Sequence, residues 1–196
     1  MTTGLNTIHD AGQVCQGCGL CCSGLLFAKV NVYESDAAAR RRVKLSADGP
    51  DTYAMPQPCQ FLDGASCSIY ADRPRNCRSY SCRTRDSIVE GTLGMDQARQ
   101  NIQAAKDLLQ QMEVPVQKYW DISIAKTGFR PFCDDFLHLI RFKLDQGETP
   151  TKEEHAILRR VSDVIKIVDP HFRKTGRRAM IDRAIAAIEV ANNSID

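Results

Sequence analysis

Residues 15–24 read Cys15-Gln16-Gly17-Cys18-Gly19-Leu20-Cys21-Cys22-Ser23-Gly24, four thiols and three glycines in ten positions. A two-residue gap between cysteines lets one turn aim both sulfurs at a single ion about 2.3 Å away. Gly17 and Gly19 suit such a turn, because a residue without Cβ relieves backbone strain and lets N–H groups approach sulfur. The composition predicts a tight loop over residues 15–24. Working outward, a second group follows with the spacing C-x7-C-x9-C-x4-C: Cys59, Cys67, Cys77 and Cys82. Four thiolates complete a tetrahedral shell for Zn²⁺ or hold one 4Fe–4S cluster.

The adjacent pair Cys21–Cys22 narrows the reading. Neighbouring side chains diverge, so both seldom serve one mononuclear ion in an undistorted shell. Two arrangements remain open: two four-cysteine centres that draw on both groups, or one cluster with spare thiols. The opening C-x2-C-x2-C resembles a ferredoxin run, but the x3-C-P that completes one is missing. The spacing therefore points to metal and leaves iron–sulfur, other iron or zinc open.

The rest of the composition sets the frame. The chain has 196 residues, 43% hydrophobic and 26% charged, which allows one domain or a small module with an appendage. Lys+Arg total 26 against 24 Asp+Glu, a formal charge of +2, which argues against a strongly basic nucleic-acid binder. The basic stretches Arg40–Lys44 and Arg173–Arg178 are short and lack interleaved aromatics, so a nucleic-acid partner is not expected. No apolar run reaches the roughly 18 residues a membrane span needs. Residues 1–10 show no basic segment followed by an apolar one, so the expected compartment is the cytoplasm. There, clustered thiols are expected as metal ligands rather than disulfides.

Along the chain, residues 1–14 are expected as a flexible N-terminus, 15–90 as a cysteine-rich module and 91–196 as a helical part packed on it. Leu25–Tyr33 alternates, with Leu26, Ala28, Val30 and Val32 on one face, and predicts a strand. Glu34–Val43 reads as a short helix, and 46–58, with Gly49, Pro50, Pro56 and Pro58, as a loop. Residues 59–85 read as short extended pieces and turns. Met95, Ala98, Ile102, Ala105, Leu109 and Met112 recur at helical spacing, with Pro115 as the stop. This stripe predicts packing within the chain. Phe136, Leu139, Ile140 and Leu144 predict a second helix that stops near Gly147. Thr151 and Glu154 form a capping-box pattern ahead of Ile157, Val161, Val164 and Val168, and Pro170 marks that helix's end. Ile181, Ala184, Ile185, Ile188 and Ala191 predict a fourth.

The order Cys15-x2-Cys18-Gly19-x-Cys21-Cys22, Cys59-x-Phe61-Leu62, then Cys67-x-Ile69-Tyr70-x2-Arg73-Pro74-x2-Cys77-Arg78-x-Tyr80-x-Cys82 resembles the YkgJ-type CxxCxxCC family. That family is described as zinc- or iron-chelating, and its relatives include flagellin lysine N-methylases. The likeness covers about residues 15–82. Gln60 departs from it, since the family often has proline after that cysteine. The resemblance implies a metal centre ligated by Cys15, Cys18, Cys21, Cys22, Cys59, Cys67, Cys77 and Cys82.

Arg73, Arg75, Arg78, Arg83 and Arg85 crowd the last ligands against only Asp72 and Asp86. Four thiolates around one dication leave a charge of −2, so these arginines are expected to offset the centre. Asp134, Asp135 and His138 could share a helix face, and surface pairing is the expected reading. Cys133, between Phe132 and Phe136, is expected as a buried thiol rather than a ninth ligand. No Walker A, Rossmann, H-E-x-x-H, C-x-x-C-H or G-x-S-x-G pattern occurs.

The expected protein is α+β: a small cysteine-rich metal-binding module with short strands packed against a mostly helical C-terminal part. Its function reads as metal binding, with an iron–sulfur cluster or other iron centre in redox or protein-modifying chemistry preferred, and zinc in two four-cysteine sites of a non-catalytic structural or interaction module as the alternative. The partner would be a protein or small molecule.

Overall fold

The structure, a computed structural model, describes residues 12–36, 45–173 and 186. Glu34–Asp36, the start of the helix expected over Glu34–Val43, form a turn; the rest of that helix, all of the helix expected over 181–191 but residue 186, and most of both basic stretches lie outside the described residues.

Val30 and Val32 alternate with Lys29 and Asn31, and this period-two pattern forms strand β1, Lys29–Tyr33. The strand is shorter than the expected 25–33. Leu25 and Leu26 are instead buried among helices. The segment expected as a loop forms strands β2, Ser46–Gly49, and β3, Thr52–Pro56. Its glycine and first proline build the turn between them, where Gly49 and Asp51 take φ of 146° and 55°. Pro56 sits at the last position of β3, where the ladder no longer needs its N–H. β3 is central, pairing antiparallel with β1 and β2, and Val32 lies opposite Tyr53. Strands β4, Leu62–Asp63, and β5, Ser66–Cys67, make a small hairpin.

Two short helices carry the next cysteines: α1, Arg75–Ser79, and α2, Arg83–Val89. They replace the extended pieces expected up to residue 85. Helix α3, Met95–Trp120, buries Ala98, Ile102, Ala105, Met112 and Val116. It runs through Pro115, contrary to the expected stop. A proline inside a helix removes one hydrogen bond. Here the helix continues because Val116 is fully buried and Trp120 packs on Phe132 and Phe136, with ring centroids 6.0 and 5.2 Å away. Helix α4 spans Ile124–Thr127 and α5 spans Phe129–Asp145. Helix α6, Lys152–His171, starts on the expected capping box and packs along α3. Pro170 falls within its last turn.

Among the described residues, the buried apolar side chains form two clusters. The larger unites Leu20, Leu25 and Leu26 of the cysteine-rich part with α3, α5 and α6. The smaller gathers Val32, Met55, Cys59 and Ile69 beneath the sheet. Gly24 seals the first cluster: its φ is 79°, and a Cβ there would stand 2.9 Å from the Gly128 Cα. The Arg130 N–H donates to the Gly24 carbonyl at 2.7 Å, fastening this loop to α5. Among the described residues, no helix is long and apolar enough to cross a membrane.

Candidate metal centre

Residues 12–18 are helical and carry Cys15 and Cys18 one turn apart, so the expected loop begins only at Gly19. Gly19 takes φ 71°, and a Cβ there would lie 3.1 Å from the Ala65 Cα. Glycine lets the chain reverse this close to the β4–β5 turn, whose second strand carries Cys67. The Ser23 N–H donates to the Gly19 carbonyl at 2.8 Å, closing the turn that presents Cys21 and Cys22. The Cys59 N–H donates to the Cys22 carbonyl at 2.7 Å, joining the first cysteine group to the second. Cys77 sits on α1, and Cys82 is the residue before α2.

All nine thiols are free. Cys15 is exposed, Cys59 and Cys133 are buried, and the others lie between. Burial pushes Cys18 up to about 12 and Cys77 up to about 11, and it raises Cys21, Cys67 and Cys82. Cys22 and Cys59 share a hydrogen bond that raises the first and lowers the second. Thiols held neutral by burial are those that a cation would convert to thiolate ligands. Among the described residues, no three Cys, His, Asp or Glu side chains already stand at ion-holding spacing. A cysteine has a single χ to turn, so rotamer changes alone shift each sulfur.

A cavity of about 70 Å³ lies among Cys15, Cys18, Cys21, Cys22, Cys67 and Cys82. Tyr80 and Phe172 line its other side. Tyr80 was not singled out as a functional residue by sequence, although it stands two residues before Cys82. Its hydroxyl donates to the Phe172 carbonyl at 3.3 Å, and its ring meets Phe27 edge-on at 4.8 Å. Burial and the neighbouring Cys21 and Cys82 hold that phenol above its ordinary range.

Of the five arginines, Arg73 bears on Cys67 and Cys77, and Arg85 lines the cavity, its backbone bonding Cys82. Arg73 is pinned over the Tyr70 ring at 3.5 Å, and its Nε donates to the Tyr70 carbonyl at 2.8 Å. Arg78 and Arg83 are exposed. Lys106 of α3 supplies the cation near Cys18 and bonds the Gly17 carbonyl at 3.4 Å. This lysine lies outside the cysteine pattern, and no sequence signal marked it.

Asp134 accepts from Arg130 Nε at 2.8 Å, while Asp135 and His138 are exposed. None of the three lines the cavity, in keeping with surface pairing. Cys133 is 4% exposed, packed as expected within the larger cluster.

Eight thiols thus sit on one cysteine-rich module, six of them around a shared cavity, with the two cysteine groups joined by the Cys59–Cys22 backbone hydrogen bond. Residues 14–106 match the family model CxxCxxCC, described as "Putative zinc- or iron-chelating domain". No curated protein and no solved structure matches the chain.

Proposed function

We propose that this is an iron–sulfur protein whose eight cysteines, Cys15, Cys18, Cys21, Cys22, Cys59, Cys67, Cys77 and Cys82, hold metal for redox or protein-modifying chemistry. The cavity carries this reading. A water molecule needs about 10–15 Å³ of such space. The 70 Å³ among Cys15, Cys18, Cys21, Cys22, Cys67 and Cys82 is several times that, room for a polynuclear cluster rather than a single closed ion. Val14, Leu20, Ile102 and Phe172 add apolar lining beside Thr84 and Arg85, which limits water around the cluster sulfurs other than that of exposed Cys15. When bound, such a cluster supplies a one-electron couple. The chain's own part is to supply thiolates, exclude water and place Lys106 and Arg73 as counter-charges.

One observation favours zinc. Cys59 is buried and hydrogen-bonded to Cys22, a packing that suits a closed tetrahedral shell with no position left for substrate. The deciding experiment is anaerobic purification with iron, zinc and acid-labile sulfide analysis. A brown protein with absorption near about 400 nm and stoichiometric sulfide supports the cluster. A colourless protein with stoichiometric zinc defeats it.

A further inference from the structure

We infer that the chain divides at the Cys21–Cys22 peptide into two four-thiol centres, one of Cys15, Cys18, Cys21 and Cys82, the other of Cys22, Cys59, Cys67 and Cys77. This rests on the reading above that the eight cysteines are ligands, and it assigns each sulfur.

Packing separates the sets first. Cys18 and Cys21 lie against the larger apolar cluster, whereas Cys59 belongs to the smaller one and Cys22 and Cys67 pack on it. Two adjacent residues thus face different cores, as the divergence of neighbouring side chains requires. Electrostatic proximity gives the same division. The charges nearest Cys21 are those of Cys18, Cys82 and Cys15, and those bearing on Cys18 are Cys82 and Cys15. Cys59 and Cys67 bear on Cys77, and Cys59 bears most on Cys22 and leads the thiols around Cys67. Cys22 and Cys67 also border the cavity that Cys15, Cys18, Cys21 and Cys82 line, whereas Cys59 and Cys77 do not, so the two sets meet at its wall. The charges that cross the division, Cys77 on Cys21 and Cys15 on Cys67, rank last for Cys21 and Cys67. Cys21 also bears on Cys22, its covalent neighbour.

The backbone supports the second set through the Cys59–Cys22 hydrogen bond. Each set also has its own cation, Lys106 beside Cys18 and Arg73 beside Cys67 and Cys77. Four thiolates around a dication carry −2, so one positive neighbour per centre halves the charge left in the fold. The two strands of sequence are therefore interleaved: Cys82 completes the first set, and Cys22 opens the second.

The test uses the wild-type chain. The reduced, metal-free protein is titrated anaerobically with Co²⁺, and at each step free thiols are alkylated and mapped by mass spectrometry. Two Co²⁺ per chain are expected, with thiolate-to-cobalt absorption. At limiting metal, protection from alkylation is expected to rise together within each set, about tenfold or more, and Cys21 and Cys22 to fall in different sets. As a second measurement, the double variants C18S/C82S and C59S/C77S are each expected to retain one Co²⁺ at full affinity. Protection that pairs Cys22 with Cys15 and Cys18, or a single Co²⁺ per chain that protects a mixture of both sets, overturns the division while leaving metal binding intact. A wild-type chain that takes up neither Co²⁺ nor iron overturns the proposed function itself.

Discussion

The Thr84 hydroxyl donates to the His171 carbonyl at 2.6 Å, joining residues 87 apart. Thr84 stands in α2, two residues past Cys82, and His171 ends α6. Carbonyls at a helix C-terminus lack partners within the helix and must find them elsewhere. Here the cysteine-rich module supplies them: Tyr80 bonds the next carbonyl, and Arg173 reaches back to the Leu25 carbonyl at 3.1 Å. Thr84→Val keeps the shape and leaves a buried carbonyl unpaired, so it is expected to destabilise by about 1–3 kcal/mol. Tyr80→Phe breaks a longer bond and is expected to cost less. Chemical denaturation of both variants checks the order. Equal, negligible losses would mean that the helix end finds other partners.

Arg73 gives a sharper test of charge than the arginine content of the segment does. Its guanidinium is held by Tyr70, so its position beside Cys67 and Cys77 does not depend on a floppy side chain. Arg73→Gln is expected to speed loss of metal to a chelator about fivefold, the equivalent of about 1 kcal/mol for one partly screened charge. Arg78→Gln, at an exposed position of the same helix-bearing segment, is expected to leave the rate unchanged. Stopped-flow transfer of metal to a chromogenic chelator measures both. Identical rates in the two variants would make Arg73 a packing residue only.

How much of this was legible in the sequence depends on the range of the forces involved. The capping box at Thr151 and Glu154 and the stripe on α3 are local patterns, and both appear where the residues indicated. Cys133 was readable as buried because aromatic neighbours surround it in sequence. Pro115 misled, because a proline's cost is local while its compensation, the packing of Val116 and Trp120, comes from tertiary contact. The β2–β3 hairpin was hidden for the same reason: its prolines mark a turn and a strand end, and a loop reading counts them without their positions. The candidate ligands were all visible as residues. Their division was not, because which core a thiol faces depends on contacts between residues such as Gly19 and Ala65, far apart in the chain. Lys106 lay beyond reach for that reason too.

Gly24 marks where the cysteine-rich loop meets α5. Its φ of 79° disfavours any other L-residue, and a Cβ would press to 2.9 Å on the Gly128 Cα, a backbone atom that cannot step aside. Gly24→Ala is therefore expected to destabilise by about 2 kcal/mol or more, combining left-handed strain with a steric shift of the Arg130–Gly24 hydrogen bond. Gly17, around which a Cβ would meet nothing, serves as the control, and its alanine variant is expected to change stability by about 0.5 kcal/mol or less. Thermal unfolding of the two variants under the same metal load compares them. A Gly24→Ala protein as stable as the Gly17 variant would show that the loop does not pack on α5 in solution.

Cys133 offers a pH dependence that is separable from the metal ligands. It is buried in α5, and that burial raises its thiol above the ordinary value of 9.0, with Arg173 pulling the other way and Asp134 adding to the rise. The sign follows from proton counting. Below pH 9.0 both the folded and unfolded chains keep this proton, and the stability that Cys133 contributes is fully present. Above it, the unfolded chain releases the proton while the folded chain holds it, so unfolding gains and stability falls by about 1.4 kcal/mol per pH unit for this one group. Cys133→Ala removes the group. At neutral pH the variant is expected to be less stable by about 1 kcal/mol from lost packing. As pH rises past 9.0, the wild type loses that extra stability and the variant does not, so the gap closes and then reverses. Guanidinium unfolding of both proteins, equally metal-loaded, at pH 7.5, 9 and about 10 reads the difference. A gap that stays constant over that range would mean that Cys133 ionises as freely in the fold as out of it.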